Sequence, residues 1–362
     1  MRNFRAFLFF LVLTAVAFLS VHFKKADKIT KPKKVIFLIG DGMGLAQISG
    51  AMSFYDGVNA FERFKVIGFS KTSSDDNYVT DSGAGATVFS IGKKTFNGAI
   101  GVDKDSIAHE NIFEMMKKKN AATGVVVTSS VTHATPACFY AHVSSRKSEF
   151  DIAEFLLKGK CDIAIGGGMK FFVSRNDKRN LFDELKAKGY SIFSDTSLPF
   201  QNINASKLIY TLSWDGMKKA QEGRSGYLKN ASLLAMKNLD KNPEGYFLMV
   251  EGSQIDWGGH ANDFDYMKSE LIDFNEAINV ALDYAIKDGN TLVVVTADHE
   301  TGGLSLIENK SNKKTFKSNY STGGHSGIMV PVFAFGPGSE EFQGIYENTA
   351  IHDKFKQLLN LK

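Results

Sequence analysis

Two cysteines in 362 residues cannot supply a disulfide framework or a cysteine-rich zinc module. Six prolines against 33 glycines exclude a Pro-rich linker protein and fit regular elements joined by tight turns. Charge of one sign is also scarce, with a formal net charge of only +4. Even that excess is local. Residues 1–34 hold eight basic side chains (Arg2, Arg5, Lys24, Lys25, Lys28, Lys31, Lys33 and Lys34) against one acid, Asp27. The rest carries 35 basic and 38 acidic residues, about −3, and has no basic footprint for nucleic acid. With 43% apolar and 23% charged residues, the composition is that of a globular chain. It excludes a disordered, collagen-like or polytopic membrane protein.

The basic N-terminal segment reads as an export signal. Arg2 and Arg5 precede Ala6–Val21, an apolar run of 16 residues, short of the ~20 that a spanning helix needs. Ala15-Val16-Ala17 offers a cleavage site, and cleavage nearer Ser20 fits as well. Residues 1–21 are thus a signal peptide or an uncleaved signal anchor, and 22–33 a basic linker that would tether the protein to a membrane in the second case. Either way the remainder, 34–362, is expected outside the cytoplasm, periplasmic or secreted. An oxidising compartment permits a Cys138–Cys161 bridge without requiring one, and two buried thiols are expected.

From Lys34 onward, short apolar runs alternate with helical patterns. Val35–Ile39, Gly124–Thr128, Asp162–Ile165, Tyr246–Val250, Leu292–Thr296 and Val330–Phe335 are mostly continuous stretches without in-out alternation. Such runs suit strands buried on both faces of a parallel sheet. Between them Ile107–Lys119, Phe150–Lys158, Leu181–Lys188 and Lys268–Lys287 read as helices. The order predicts a doubly wound α/β fold with a mostly parallel central sheet and helices on both faces. Residues 190–228 lack long apolar runs and read as an insertion over that sheet.

Ligands of such sheets collect beyond the carboxyl ends of the strands. Asp41 follows the first run; Glu251, Asp256 and His260 follow Tyr246–Val250; Asp298 and His299 follow Leu292–Thr296; His133 and Thr135 follow Gly124–Thr128. Asp256 and His260 are four apart, so one helical turn puts a carboxylate and an imidazole on one face, a pair suited to Zn²⁺. A capping Asp and a surface His would look the same. Asp298-His299 and His325, taken singly, are equally compatible with ordinary loop residues. Gly40-Asp41-Gly42-Met43-Gly44 lacks both the G-x-G-x-x-G and the G-K-[ST] spacing, and its central acid would repel phosphate unless a cation intervened. Thr80-Asp81-Ser82-Gly83-Ala84-Gly85-Ala86-Thr87 heads a run of small residues with a serine. A helix starting there favours an anion on Ser82, and a serine N-cap is the bland alternative. Arg146 offers a planar fork for phosphate or a plain surface charge.

Together these pieces carry a resemblance. From about Val35 to Phe335 the chain resembles the alkaline phosphatases: the order D-G-M-G, T-D-S, H-A-T-P, S-R, V-E-G-S-Q-I-D, T-A-D-H and a late G-H is that family's order. Its brevity and the stretch Asp256-Trp257-Gly258-Gly259-His260 look like the compact marine and Antarctic bacterial members. The resemblance implies a phosphomonoesterase with two zinc ions and one magnesium, acting on varied small phosphate monoesters through a phosphoserine on Ser82. One zinc would be held by Asp256, His260 and His325. The other would be held by Asp41, Asp298 and His299, beside Ser82. Magnesium would take Asp41, Thr135 and Glu251, in keeping with its preference for oxygen ligands. Arg146 would grip the phosphate oxygens. Two in-line displacements imply retained stereochemistry at phosphorus. Homodimers are usual among such relatives.

Two positions vary within that family. His133 stands where some members carry an Asp near the magnesium, so it would reach that ion through water or favour a different third metal. Trp257 stands where some carry a Lys near the phosphate, which implies weaker phosphate holding. A phosphodiesterase or sulfatase of the same superfamily is the nearest rival, but Ser82-Gly83-Ala84-Gly85 lacks a sulfatase's C/S-x-P-S-R setting. A secreted binding protein that scavenges phosphate is the rival of another class.

Overall fold

Every residue from Val35 to Ile39 is buried, and the side chains alternate between two apolar layers. Ile36 and Leu38 join a core with Leu271, Phe274 and Ile278 of the long helix Phe264–Asp288. Phe37 points to the opposite face, where its ring meets Phe89 at 5.4 Å and Phe355 at 5.1 Å. A strand apolar at every position therefore belongs in the middle of a sheet covered on both sides.

The protein is described by a computed structural model over residues 31–194, 203–224 and 226–362. The expected signal segment 1–21 lies outside the described residues, as does most of the basic linker. In chain order the strands are β1 (Lys34–Gly40), β2 (Val66–Lys71), β3 (Ala122–Ser130), β4 (Ile163–Gly167), β5 (Ser191–Phe193), β6 (Leu208–Thr211), β7 (Tyr246–Gly252), β8 (Thr291–Thr296), β9 (Glu300–Thr301), β10 (Leu304–Glu308), β11 (Phe316–Tyr320), β12 (His325–Ser326), β13 (Val330–Phe335) and β14 (Gly344–Glu347). Ten of them form one sheet in the order β14-β2-β13-β8-β1-β7-β3-β4-β6-β5. β13 alone runs against its neighbours β8 and β2; the other pairings are parallel. The fold is the mostly parallel α/β sheet that the apolar runs predict.

The described part of 190–228 lengthens this sheet. β6 is fully buried and pairs with β4, and β5 pairs outside it. Two short antiparallel pairs, β10 with β11 and β9 with β12, stand apart from the main sheet. Cys138 and Cys161 are both buried and free. Among the described residues no helix is long and apolar enough to cross a membrane.

Candidate active site

β1 and β7 are parallel neighbours, with Ile39 beside Glu251 and Gly40 beside Gly252. Their ends therefore deliver Asp41 and Glu251 to one place, and both carboxylates are fully buried. Directly after Glu251, the helix Gln254–His260 carries Asp256 and His260 one turn apart, with His260 Nε2 3.3 Å from Asp256 Oδ2. β8 lies on the other side of β1 and ends two residues before Asp298. The short β9–β12 pairing then sets His325 opposite Thr301. Gly42, with φ +72°, closes the turn after Asp41, where a Cβ would meet Thr301 Oγ1 at 2.6 Å.

A helix does begin at Ser82, running to Ile91, but its cap is Asp81. Asp81 Oδ1 accepts from Ala84 N at 2.9 Å and from Gly98 N at 3.0 Å. The cap role offered to the serine is thus taken by its neighbour, and Ser82 Oγ is left facing the cluster. It lies 3.3 Å from His299 Nε2 and 3.5 Å from Asp41 Oδ1. The small residues behind it have a steric reason. A Cβ on Gly83 would sit 3.0 Å from the Ala99 carbonyl, and one on Gly85 3.0 Å from Asp298 Cβ.

Three groups of side chains converge closely enough to share an ion. They are Asp41 with Asp298 and His299; Asp256 with His299 and His325; and Asp41 with His133 and Glu251. His260 touches the second group, with Nε2 3.1 Å from His325 Nε2. His299 and His325 stack with ring centroids 3.6 Å apart, so the first two groups are contiguous. Ser82 and every carboxylate and imidazole expected at the site therefore fall into one cluster. Trp257 stands edge-on to His133 at 6.1 Å between centroids and is backed by Gly216, where a Cβ would meet its ring at 2.6 Å.

The electrostatics call for cations. Burial, then the neighbouring Asp298 and Asp256, hold the Asp41 carboxyl well above its ordinary range. Burial likewise pushes Asp298 to about 6 and Glu251 to about 7. Burial lowers His299 to about 4, which favours the neutral imidazole that ligates metals. Asp256 resists burial because His260, His299 and His325 surround it, and it in turn raises His260 to about 9. Asp41 Oδ2, Asp298 Oδ2, Glu251 Oε1 and Thr135 Oγ1 are buried without a hydrogen-bond partner among the described residues. Orphaned oxygens cost free energy unless something binds them. Hard oxygen donors and neutral imidazoles at this density fit divalent ions.

Arg146 is the cationic wall. Its Nη1 donates to Asp81 Oδ2 at 2.8 Å, and its Nη2 lies 3.4 Å from His133 Nε2. Burial opposes its charge, but Asp81, Asp41 and Asp256 more than restore it. Burial and Arg146 together push His133 down to about 4, so this imidazole is neutral.

Several residues of the site escape sequence reasoning. Asp81 stands in the sequence as the middle of Thr80-Asp81-Ser82, where an acid just before a helical serine is a cap signal. Ser253 Oγ donates to Glu251 Oε2 at 2.6 Å. Buried Glu300 accepts from Gln47 Nε2 at 2.6 Å and from Ser326 Oγ, tying the helix Leu45–Met52 to β12. Thr301 reaches Asp256 and His299 at once. Nothing in the spacing of Ser253, Glu300 and Thr301 marks them; only the fold brings them together.

A parallel α/β sheet that gathers carboxylates, imidazoles and a buried helix-terminal serine at one edge defines a metal-binding hydrolase. Comparison with known proteins narrows the class. The family model described as alkaline phosphatase matches residues 32–314, and the chain belongs to the alkaline phosphatase family. It is a phosphomonoesterase by that membership. Alkaline phosphatase 3 of Bacillus subtilis is 36% identical, across 91% of this chain and 89% of its own. The alkaline phosphatase from the Antarctic bacterium TAB5 superposes with a TM-score of 0.90 at 46% identity, covering 92% of this chain and 100% of that one. A histidine-to-aspartate mutant of the TAB5 enzyme, with Mg bound in its M3 site, gives the same TM-score at 45% identity, again covering 92% of this chain and 100% of that one.

Proposed function

We propose that this phosphomonoesterase works through a phosphoserine on Ser82, with two zinc ions and one magnesium held by the clustered side chains. The observation that carries the reading is the placement of Ser82 Oγ, 3.3 Å from His299 and 3.5 Å from Asp41 at the start of a helix. Asp41, Asp298 and His299 would hold the zinc beside Ser82. Asp256, His260 and His325 would hold the other zinc, and Asp41, Thr135 and Glu251 the magnesium. When bound, such ions neutralise the carboxylates, acidify a hydroxyl or water, and clamp attacking and leaving oxygens.

The chain's own groups do the rest. Ser82 Oγ loses its proton and bonds to phosphorus as the ester P–O bond breaks; the departing alkoxide takes up a proton. Water then attacks phosphorus from the side opposite Ser82, releasing inorganic phosphate and restoring the hydroxyl. Arg146, held by Asp81, pairs with the non-bridging oxygens through its planar fork. The helix N-terminus adds its positive end. His133 stays neutral and borders the third site, so it governs which ion settles there. Trp257 offers no charge to the phosphate, which favours weaker product holding.

The N-terminal basic and apolar residues, Arg2 to Val21, support export, with the catalytic part periplasmic, secreted or tethered. The covalent route is tested by brief reaction with a ³²P-labelled monoester, an acid quench and peptide mapping. Label on the peptide holding Ser82, and none on a Ser82→Ala variant, is expected. Steady turnover with no labelled enzyme would sink the phosphoserine route.

A further inference from the structure

Thr301 belongs to none of the three convergent groups, yet it touches two of them. Its Oγ1 lies 2.5 Å from Asp256 Oδ1 and 3.3 Å from His299 Nδ1. The side chain is fully buried. Its backbone N–H donates to the Gly42 carbonyl at 3.1 Å, and it faces His325 across the β9–β12 pair. Two glycines make the room it occupies. A Cβ on Gly42 would approach Thr301 Oγ1 to 2.6 Å, and one on Gly259 would approach Thr301 Cγ2 to 2.9 Å. Gly42 follows Asp41 and Gly259 precedes His260, so the turn after β1 and the helix Gln254–His260 close around one threonine.

A hydroxyl has one proton to give and two lone pairs. The Asp256 carboxylate is an acceptor at 2.5 Å and takes that proton. Toward His299 the oxygen can then only accept, so the imidazole hydrogen sits on Nδ1. The lone pair is left on Nε2, the nitrogen 3.3 Å from Ser82 Oγ and 3.5 Å from Asp41 Oδ1. The hydrogen bond at one ring nitrogen decides what the other can ligate.

We propose that Thr301 is a positioning residue whose single hydroxyl orients Asp256 and fixes the tautomer of His299, coupling the two zinc sites. The inference rests on the metal reading proposed above. Loss of such an outer partner typically lowers metal affinity about 10–100-fold.

The test measures zinc retention by full-length protein against a chromophoric chelator, comparing the native chain with Thr301→Val, Thr301→Ser and Asp298→Ala variants. Thr301→Val keeps the shape and removes the hydroxyl; Thr301→Ser does the reverse. The expected result is about 10–100-fold weaker retention in Thr301→Val, near-native retention in Thr301→Ser, and metal-free proteins that melt together. Native retention by Thr301→Val, or equal losses in both threonine variants, overturns the proposal. Asp298→Ala separates the two levels. If it loses zinc while Thr301→Val does not, only the role of Thr301 fails; if neither loses zinc, the metal reading fails with it. Should Thr301→Val not fold, ¹⁵N long-range spectra of the metal-free native protein decide. A proton on His299 Nδ1 is expected, and one on Nε2 overturns the proposal.

Discussion

Asp81 joins the Arg146 guanidinium to the helix that opens at Ser82: its Oδ2 accepts from Arg146 Nη1 at 2.8 Å, while its Oδ1 caps that helix by accepting from Ala84 N. One carboxylate thus fixes both the serine and the guanidinium. Asp81→Ala should cost about 1 kcal/mol of stability through the lost cap and also weaken inhibition by phosphate. Arg146→Ala should weaken phosphate binding by roughly 1.5–3 kcal/mol, the range for hydrogen bonds to charged groups, at least about tenfold. Phosphate inhibition constants and melting curves check both. An Asp81→Ala enzyme with native inhibition would show that Arg146 does not need its partner.

Trp257 stands edge-on to His133 with Gly216 packed against its ring, and in the proposed mechanism it brings no charge to the phosphate. Trp257→Lys should tighten inhibition by inorganic phosphate and slow turnover where product release limits the rate. Equal inhibition constants for the two enzymes would count against this view.

Away from the site, buried Arg224 bonds Glu270 and donates to Asp273 at 2.8 Å. The two acids also accept from the backbone of Ala220 and Gly226 at 2.8 Å, so the triad fastens Ala220, Arg224 and Gly226 to the helix Phe264–Asp288. Burial raises both carboxyls despite the arginine. Arg224→Ala leaves two unpaired buried acids and should cost roughly 3–5 kcal/mol, measured by denaturant unfolding. A loss below 1 kcal/mol would mean that the acids find water or protons at little cost.

His142 and Glu114 supply a pH-dependent contribution to stability. Burial disfavours the His142 cation, but Glu114 and the Gly101 carbonyl outweigh burial and Lys158, so its pKa is raised. Burial opposes Glu114's charge too, yet His142 and the Asn111 N–H lower its pKa. The raised histidine stabilises fully below ~6.5 and loses its effect as pH rises through its folded pKa; the lowered acid stabilises above ~4.3 and loses its effect as pH falls. The pair therefore acts most strongly between about pH 5 and 6.5. His142→Gln should destabilise more at pH 6 than at pH 9, and equal losses would contradict the pairing.

The central strands were legible because burial on both faces leaves continuous apolar runs, as in β1 and β8. β2 was not, since only Gly68 and Ser70 within it are fully buried and its sequence mixes polar and apolar residues. The helix predicted over Ile107–Lys119 begins at Ile112, because Asn111 and Glu114 form a capping box that stops it. At the site, ligand-type residues were legible from chemistry and order. Glu300, Thr301 and the Asp81–Arg146 pair were not, because their roles arise from contacts across the fold. Thr301 in particular meets Asp256 only once β9 and the helix Gln254–His260 have converged.

The most direct measurement is release of phosphate from a chromogenic monoester at alkaline pH by the full-length protein, before and after chelation and after return of zinc and magnesium. The metal-dependent account predicts rapid turnover that chelation abolishes and the metals restore. Undiminished turnover by the chelated, metal-free protein would contradict it, as would a metal-replete folded protein that leaves the monoester intact.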